Sequence, residues 1–224
     1  MMRVIGIGGE PCSGKSTAVL EVVRHYNGEG YWLHNNIRAV TWMRHSRRRL
    51  VVLGEYVQGV RRELFGAGFG PAPGATLGTD GMPQAAHGEL LSLLRSWSQD
   101  RSADRLTVLF EGNALFNEDF LAAVSRSPGI EAHWIQLTCP PDALTGRHRK
   151  QRRPVWRLTA ESARLEKLRL ALPVLVQVPH VVTEDTVRVA KLVVDLIEKP
   201  WQARQEAREQ AQGGEGSQLA LFFN

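Results

Sequence analysis

No run of about 18–20 consecutive apolar residues occurs in the 224-residue chain, and the short apolar stretch near its start stops at a glycine loop. Neither a membrane span nor a secretory leader is expected, so the sequence reads as that of a soluble, intracellular protein. Cysteine is scarce. Cys12 lies inside the glycine loop and Cys139 ends a predicted strand, and neither has metal-ligand spacing to a partner. That spacing speaks against a disulfide framework and against a zinc site. Internal repeats are missing, as are an ABC-type signature and an apolar strand ending in Asp-Glu, the marks of a motor or transporter ATPase.

What is present describes a globular α/β protein: 43% apolar and 23% charged residues, in a chain long enough to bury a full core. Apolar runs at Val4–Ile7, Tyr31–Val40, Leu50–Leu53, Leu106–Phe110, His133–Thr138 and Val178–Val182 read as strands. Helical spacing covers Ser16–Tyr26, Gln84–Gln99, Asn117–Ser125, Pro141–Gln151, Ala160–Ala171 and Glu184–Lys199, the last with Thr183 as expected N-cap and Pro200 as stop. Strands alternating with helices imply a three-layer α/β/α sandwich around a mostly parallel sheet. Residues 1–200 form the expected catalytic domain. Within it, 66–88 is too rich in Gly and Pro for a regular element, which marks a functional or mobile loop. Residues 201–224 turn polar and read as a flexible tail.

The most specific pattern is Gly9-Glu10-Pro11-Cys12-Ser13-Gly14-Lys15-Ser16, which fits G-x-x-x-x-G-K-[ST] between an apolar strand and an amphipathic helix. Such a loop turns backbone N–H groups toward phosphate oxygens, and the helix N-terminus adds partial positive charge. Lys15 is expected on the β- and γ-phosphates of ATP, Ser16 on Mg²⁺, and Thr17 near the α-phosphate. Cys12 reads as small filler rather than nucleophile.

Phosphorylating a hydroxyl needs a carboxylate to take its proton, and a second acid to hold Mg²⁺ or its water shell. Glu111 ends the strand LTVLF, where open α/β sheets place their sites, and is the expected metal-side acid. Asp80, in LGTDGM, is the preferred base because its loop can carry it over the transferred phosphate. Glu55, after VVLG, is the alternative base.

A net charge of +5 is concentrated in three clusters suited to a polyanion. Arg44, Arg47, Arg48, Arg49, Arg61 and Arg62 suit backbone phosphates, giving salt-dependent affinity without sequence reading. Residues 140–154 pack Arg147, Arg149, Lys150, Arg152 and Arg153 into one basic segment behind a strand. It resembles the lid of nucleoside- and nucleotide-kinase-like proteins, in which Arg147 would neutralise the transferring phosphate while Arg149 and Arg153 hold the nucleotide. The plainer reading is a solvated basic helix. Trp32, Trp42, Trp97 and Trp156 are candidates to stack on a base, or simply core.

GEPCSGKST, LGEY, LGTD and FEGN, in that order and with a basic lid behind them, resemble the phage 5-hydroxymethyluracil DNA kinases of the P-loop class. The resemblance covers roughly residues 1–200, and only its glycine loop is highly specific. It implies ATP- and Mg²⁺-dependent phosphorylation of the hydroxymethyl group of 5-hydroxymethyluracil within DNA, a step of thymine hypermodification, in the cytoplasm of an infected bacterial cell. Lys15 and Ser16 carry over with the motif, and Asp80 and Glu111 by position in their blocks.

Gln218, Leu219, Leu221 and Phe222, in QLALF, resemble the peptide by which proteins dock on the bacterial sliding clamp. At the end of a polar linker such a peptide would tether the enzyme to newly replicated DNA. Two other functions remain compatible with the sequence. One is a kinase of a free nucleoside, nucleotide or other small hydroxyl compound, and the other is a P-loop ATPase accessory protein that binds DNA or the clamp and modifies nothing.

Overall fold

The structure is a computed structural model that describes residues 2–26, 28–34, 37–43, 49–54, 78–100, 106–150, 155–175 and 180–198. Seven strands form one sheet in the order β2-β3-β4-β5-β1-β6-β7: β1 Met2–Gly9, β2 Gly28–His34, β3 Ile37–Met43, β4 Arg49–Leu53, β5 Leu106–Glu111, β6 Ile130–Leu137 and β7 His180–Thr183. Strands β4, β5, β1, β6 and β7 run mutually parallel, and β2 and β3 extend the β4 edge in antiparallel fashion. The mostly parallel sheet expected from the sequence is therefore present.

The apolar runs became parallel strands because both of their faces are covered. Met2, Val4, Val108, Phe110, Ala132 and Trp134 face one helical layer, while Ile5, Ile7, Leu109, Ile135 and Leu137 face the other. The first layer holds α2 (Ala85–Gln99), α3 (Glu118–Ser125) and α5 (Val155–Leu175); the second holds α1 (Lys15–Val23) and α6 (Thr186–Glu198). Helix α4, Pro141–Lys150, leads from β6 toward α5. Its first residue is proline, whose missing N–H costs nothing at a helix start.

Two local readings are corrected. Tyr31–Val40 is not one strand: β2 and β3 pair antiparallel with His34 opposite Ile37, so the run folds back on itself. Asn35-Asn36 lies between the two halves, and a two-residue Asn-rich break between apolar runs is a hairpin signal. The last helix is capped by Asp185 rather than Thr183, since Asp185 Oδ1 accepts from Val187 N at 2.9 Å and Arg188 N at 3.0 Å. Thr183 instead belongs to β7 and its hydroxyl accepts from Asp185 N.

The chain leaves β1 for β2 on one side and leaves β5 for β6 on the other. Such a reversal of direction is where open α/β sheets form a crevice beyond the strand ends, and Gly9 and Glu111 end the two strands there. Among the described residues, no helix is long and apolar enough to cross a membrane.

Candidate functional site

The glycine loop bridges β1 and α1 across that crevice. Gly14 adopts φ 106°, a left-handed conformation that favours glycine, and Thr186 Oγ1 would lie 2.7 Å from any Cβ placed there. Helix α1 begins without a side-chain cap, so its leading N–H groups meet the crevice rather than a capping oxygen. Cys12 also takes a left-handed turn, φ 66°, and packs on Cys139 and Leu144. The filler reading of Cys12 thus has a partner, the start of α4.

Lys15 is buried, and its Nζ donates to Gly9 O and Glu10 O, each at 2.9 Å. Burial lowers the ammonium's pKa, opposed by the charges of Glu111, Asp80 and Glu161. The charges of three carboxylates from different parts of the chain therefore act on this one lysine. Ser16 Oγ donates to Glu111 Oε1 at 2.7 Å, and Glu111, the last residue of β5, is 2% exposed. A hydroxyl and a carboxylate side by side are hard oxygen donors of the kind Mg²⁺ takes alongside phosphate oxygens, so these residues fit that ion. Thr17 is exposed at the first turn of α1, and Ser13 Oγ is buried without a partner inside the loop. Burial raises the Glu10 carboxyl above its ordinary range, against the pull of main-chain hydrogen bonds and Lys15, and Pro11 is half-buried beside it.

Asp80 sits in a single 3₁₀ turn, Thr79–Gly81, and α2 starts at Ala85, so the end of the expected 66–88 loop is regular. Its Oδ1 accepts from Asn113 N at 2.5 Å and Ala114 N at 3.1 Å, while Thr79 Oγ1 donates to Glu111 O at 2.8 Å. The turn is bolted to the segment that follows β5. Asp80 and Glu111 are thereby brought near Lys15 and Ser16 at the end of β5.

Some contributors were missed. Asn113 Oδ1 accepts from Gly9 N at 3.3 Å and links the glycine loop to the β5 exit. Gly78 passes so close to Glu111 that a Cβ would collide with its carboxylate. Asn113 was visible as the last letter of FEGN, whereas nothing local marks Gly78 as a spacer.

Other expectations fall elsewhere. Arg147 and Arg149 lie on α4 and Arg49 begins β4, but their side chains are outside the described residues, as are Trp32, Trp42 and Trp156. Glu55, Arg44, Arg47, Arg48, Arg61, Arg62, Arg153 and the peptide of Gln218, Leu219, Leu221 and Phe222 also lie outside them. Trp97, on α2, is partly buried and packs against the core, the plainer of its two readings.

Comparisons with protein-family models, with curated proteins and with solved structures find no match.

Proposed function

We propose that the protein is an ATP-dependent kinase acting on the hydroxymethyl group of 5-hydroxymethyluracil in DNA. The observation that carries the kinase reading is the Ser16–Glu111 hydrogen bond at 2.7 Å, set beside the buried Lys15 and within charge reach of Asp80. A loop alone would suit any nucleotide binder. A loop closed by a metal-type carboxylate, with another acid on a separate turn, suits transfer to an acceptor.

In this mechanism the main chain of Gly9–Ser16 and the α1 N-terminus bind the phosphates, and Lys15 leaves its carbonyl partners to neutralise the β- and γ-oxygens. Ser16 and Glu111 would hold Mg²⁺, which would supply further neutralisation of phosphate charge. Asp80, anchored through Oδ1, takes the acceptor hydroxyl proton on its other oxygen. The acceptor oxygen forms its bond to the γ-phosphorus as the bridging bond to ADP breaks. The DNA and phage assignment rests on the sequence resemblance and the basic clusters.

The test is an acceptor assay with γ-labelled ATP and three acceptors in parallel: DNA containing 5-hydroxymethyluracil, unmodified DNA and free nucleosides. Label in the modified DNA alone is expected. Label only in monomers would replace the DNA reading with a small-molecule kinase, and phosphate release with no labelled acceptor would replace it with an ATPase.

A further inference from the structure

Asn113 is where the glycine loop and the Asp80 turn meet. Its main-chain N–H donates to Asp80 Oδ1 at 2.5 Å, and its side-chain Oδ1 accepts from Gly9 N at 3.3 Å. Gly9 also accepts from Lys15 Nζ through its carbonyl, at 2.9 Å. One hydrogen-bonded chain therefore runs from the proposed base through Asn113 and Gly9 to the loop lysine.

The turn that carries Asn113 is held on several sides. Gly112 N donates to Ile7 O at 3.1 Å, which prolongs the pairing of β5 with β1 past Glu111, and Phe116 N donates back to Gly112 O at 3.2 Å. Gly112 takes φ 121°, and a Cβ there would stand 2.8 Å from Asp80 Oδ1, so glycine lets the two turns approach. The Phe116 ring occupies the space over Gly8, and Arg164 Nη1 donates to Phe116 O at 3.1 Å.

Half of the Asn113 amide is unused. An N–H needs an acceptor, so the bond from Gly9 N assigns Oδ1 to that branch and leaves Nδ2 on the other. Nδ2 has no hydrogen-bond partner among the described residues. Asn113 is only half-buried, and its Nδ2 is not sealed inside the protein as Ser13 Oγ is. A ligand in the crevice can reach it.

We infer that Asn113 Nδ2 donates to a non-bridging oxygen of the γ-phosphoryl group as that group passes from ATP to the acceptor, which makes Asn113 a catalytic residue. The inference rests on the kinase reading and deepens it. In that reading the phosphoryl group leaves the glycine loop, where Lys15 and Ser16 stand, for a hydroxyl whose proton goes to Asp80. Asn113 is bonded to both ends of this path. While the acceptor oxygen bonds to phosphorus and the bridging bond to ADP breaks, negative charge stays on the non-bridging oxygens. A neutral donor fixed in advance stabilises that charge with no reorganisation at the moment of transfer.

Asn113→Asp separates this role from bracing of the loop. Aspartate keeps an acceptor oxygen for Gly9 N but replaces the donor with a charge that repels phosphate, so a residue that only braced Gly9 would tolerate it. We expect kcat to fall about 10²-fold or more, as for the loss of other donors to a developing oxyanion. MgATP should bind about tenfold more weakly or worse, while MgADP, which lacks the γ-phosphoryl group, binds within about threefold of wild type. Asn113→Ala, without the repelling charge, should lower kcat about tenfold or more and leave the affinity for MgATP nearly unchanged. A wild-type kcat in either variant, or equal losses of the two nucleotides in Asn113→Asp, overturns the inference.

Should the variants fold poorly, the wild-type chain decides. MgADP with aluminium fluoride, which mimics the transferring phosphoryl group, should shift the Asn113 side-chain NH₂ signals in NMR relative to MgADP alone. Signals that do not move overturn the inference. The nucleotide measurements need no acceptor, so the two readings fail separately. Selective loss of MgATP in Asn113→Asp, with no acceptor ever labelled by the wild type, supports the Asn113 contact and overturns the kinase reading. Acceptor labelled by Asn113→Asp at the wild-type rate overturns the contact and leaves the kinase standing.

Discussion

Ser16 Oγ and Glu111 Oε1, 95 residues apart in sequence, meet at 2.7 Å where β1 and β5 end. The parallel pairing of those strands sets Ile7 opposite Glu111, so an acid already marked by its place at a strand end arrives beside the loop. Glu111→Gln keeps the size and one acceptor oxygen but removes the charge. The expected outcome is a phosphoryl-transfer rate lowered about 10²-fold or more, with a raised Mg²⁺ requirement and a melting temperature close to wild type. A magnesium titration of the variant checks it.

Lys15→Ala should abolish transfer. Because burial disfavours the Lys15 charge, its removal is not expected to unfold the protein, and circular dichroism of the variant should match the wild type.

Asp80→Asn separates anchoring from proton transfer. Asparagine keeps an oxygen that can accept from Asn113 N and Ala114 N, so the turn should hold, whereas a general base would be lost. A fall of about 10²–10⁴-fold in kcat with ATP binding intact is expected. Unchanged turnover would move the role to Glu55.

Gly78→Ala tests the spacer. A methyl at this position would press on both the carboxylate and the main-chain oxygen of Glu111. Overpacking of this kind costs about 1–3 kcal/mol, and the transfer rate should fall together with Tm.

Away from the site, Arg3, Glu131 and His133 form a polar cluster on the sheet, with Glu131 3.0 Å from both Arg3 Nη2 and His133 Nε2. The hydrogen bond with His133 lowers the Glu131 pKa to about 2, against burial and with help from Arg3. A carboxyl held below its unfolded value stabilises the fold fully above that value, near 4.5, and the contribution fades as pH falls toward 2. Glu131→Gln should therefore cost about 2 kcal/mol at pH 7 and much less near pH 2, measured by denaturant unfolding at both values.

Deleting residues 218–224 should leave activity on short DNA unchanged while removing sliding-clamp binding, read by gel filtration with the clamp. Loss of soluble protein would assign those residues to packing instead.

The glycine loop was legible because every requirement on it is local. Gly14 needs a left-handed backbone, Lys15 and Ser16 follow it directly, and the flanking strand and helix announce themselves by period. Asp80 in its loop and Glu111 at its strand end were singled out by position, and the structure brings both near the glycine loop. The hairpin of β2 and β3 was overlooked although Asn35-Asn36 breaks the run, because the β-type residues on either side read as one strand until the pairing is seen. So was the Asp185 cap, which competed with a threonine two residues earlier.

By itself, then, the sequence determined the α/β alternation, the glycine loop and a mostly parallel sheet, since these follow from side-chain period and from backbone conformations a few residues long. Tertiary structure alone decided that Glu111 meets Ser16 directly and that Asp80 is fastened to the β5 exit. Those relations join residues tens of positions apart, and only strand order and helix packing fix such distances.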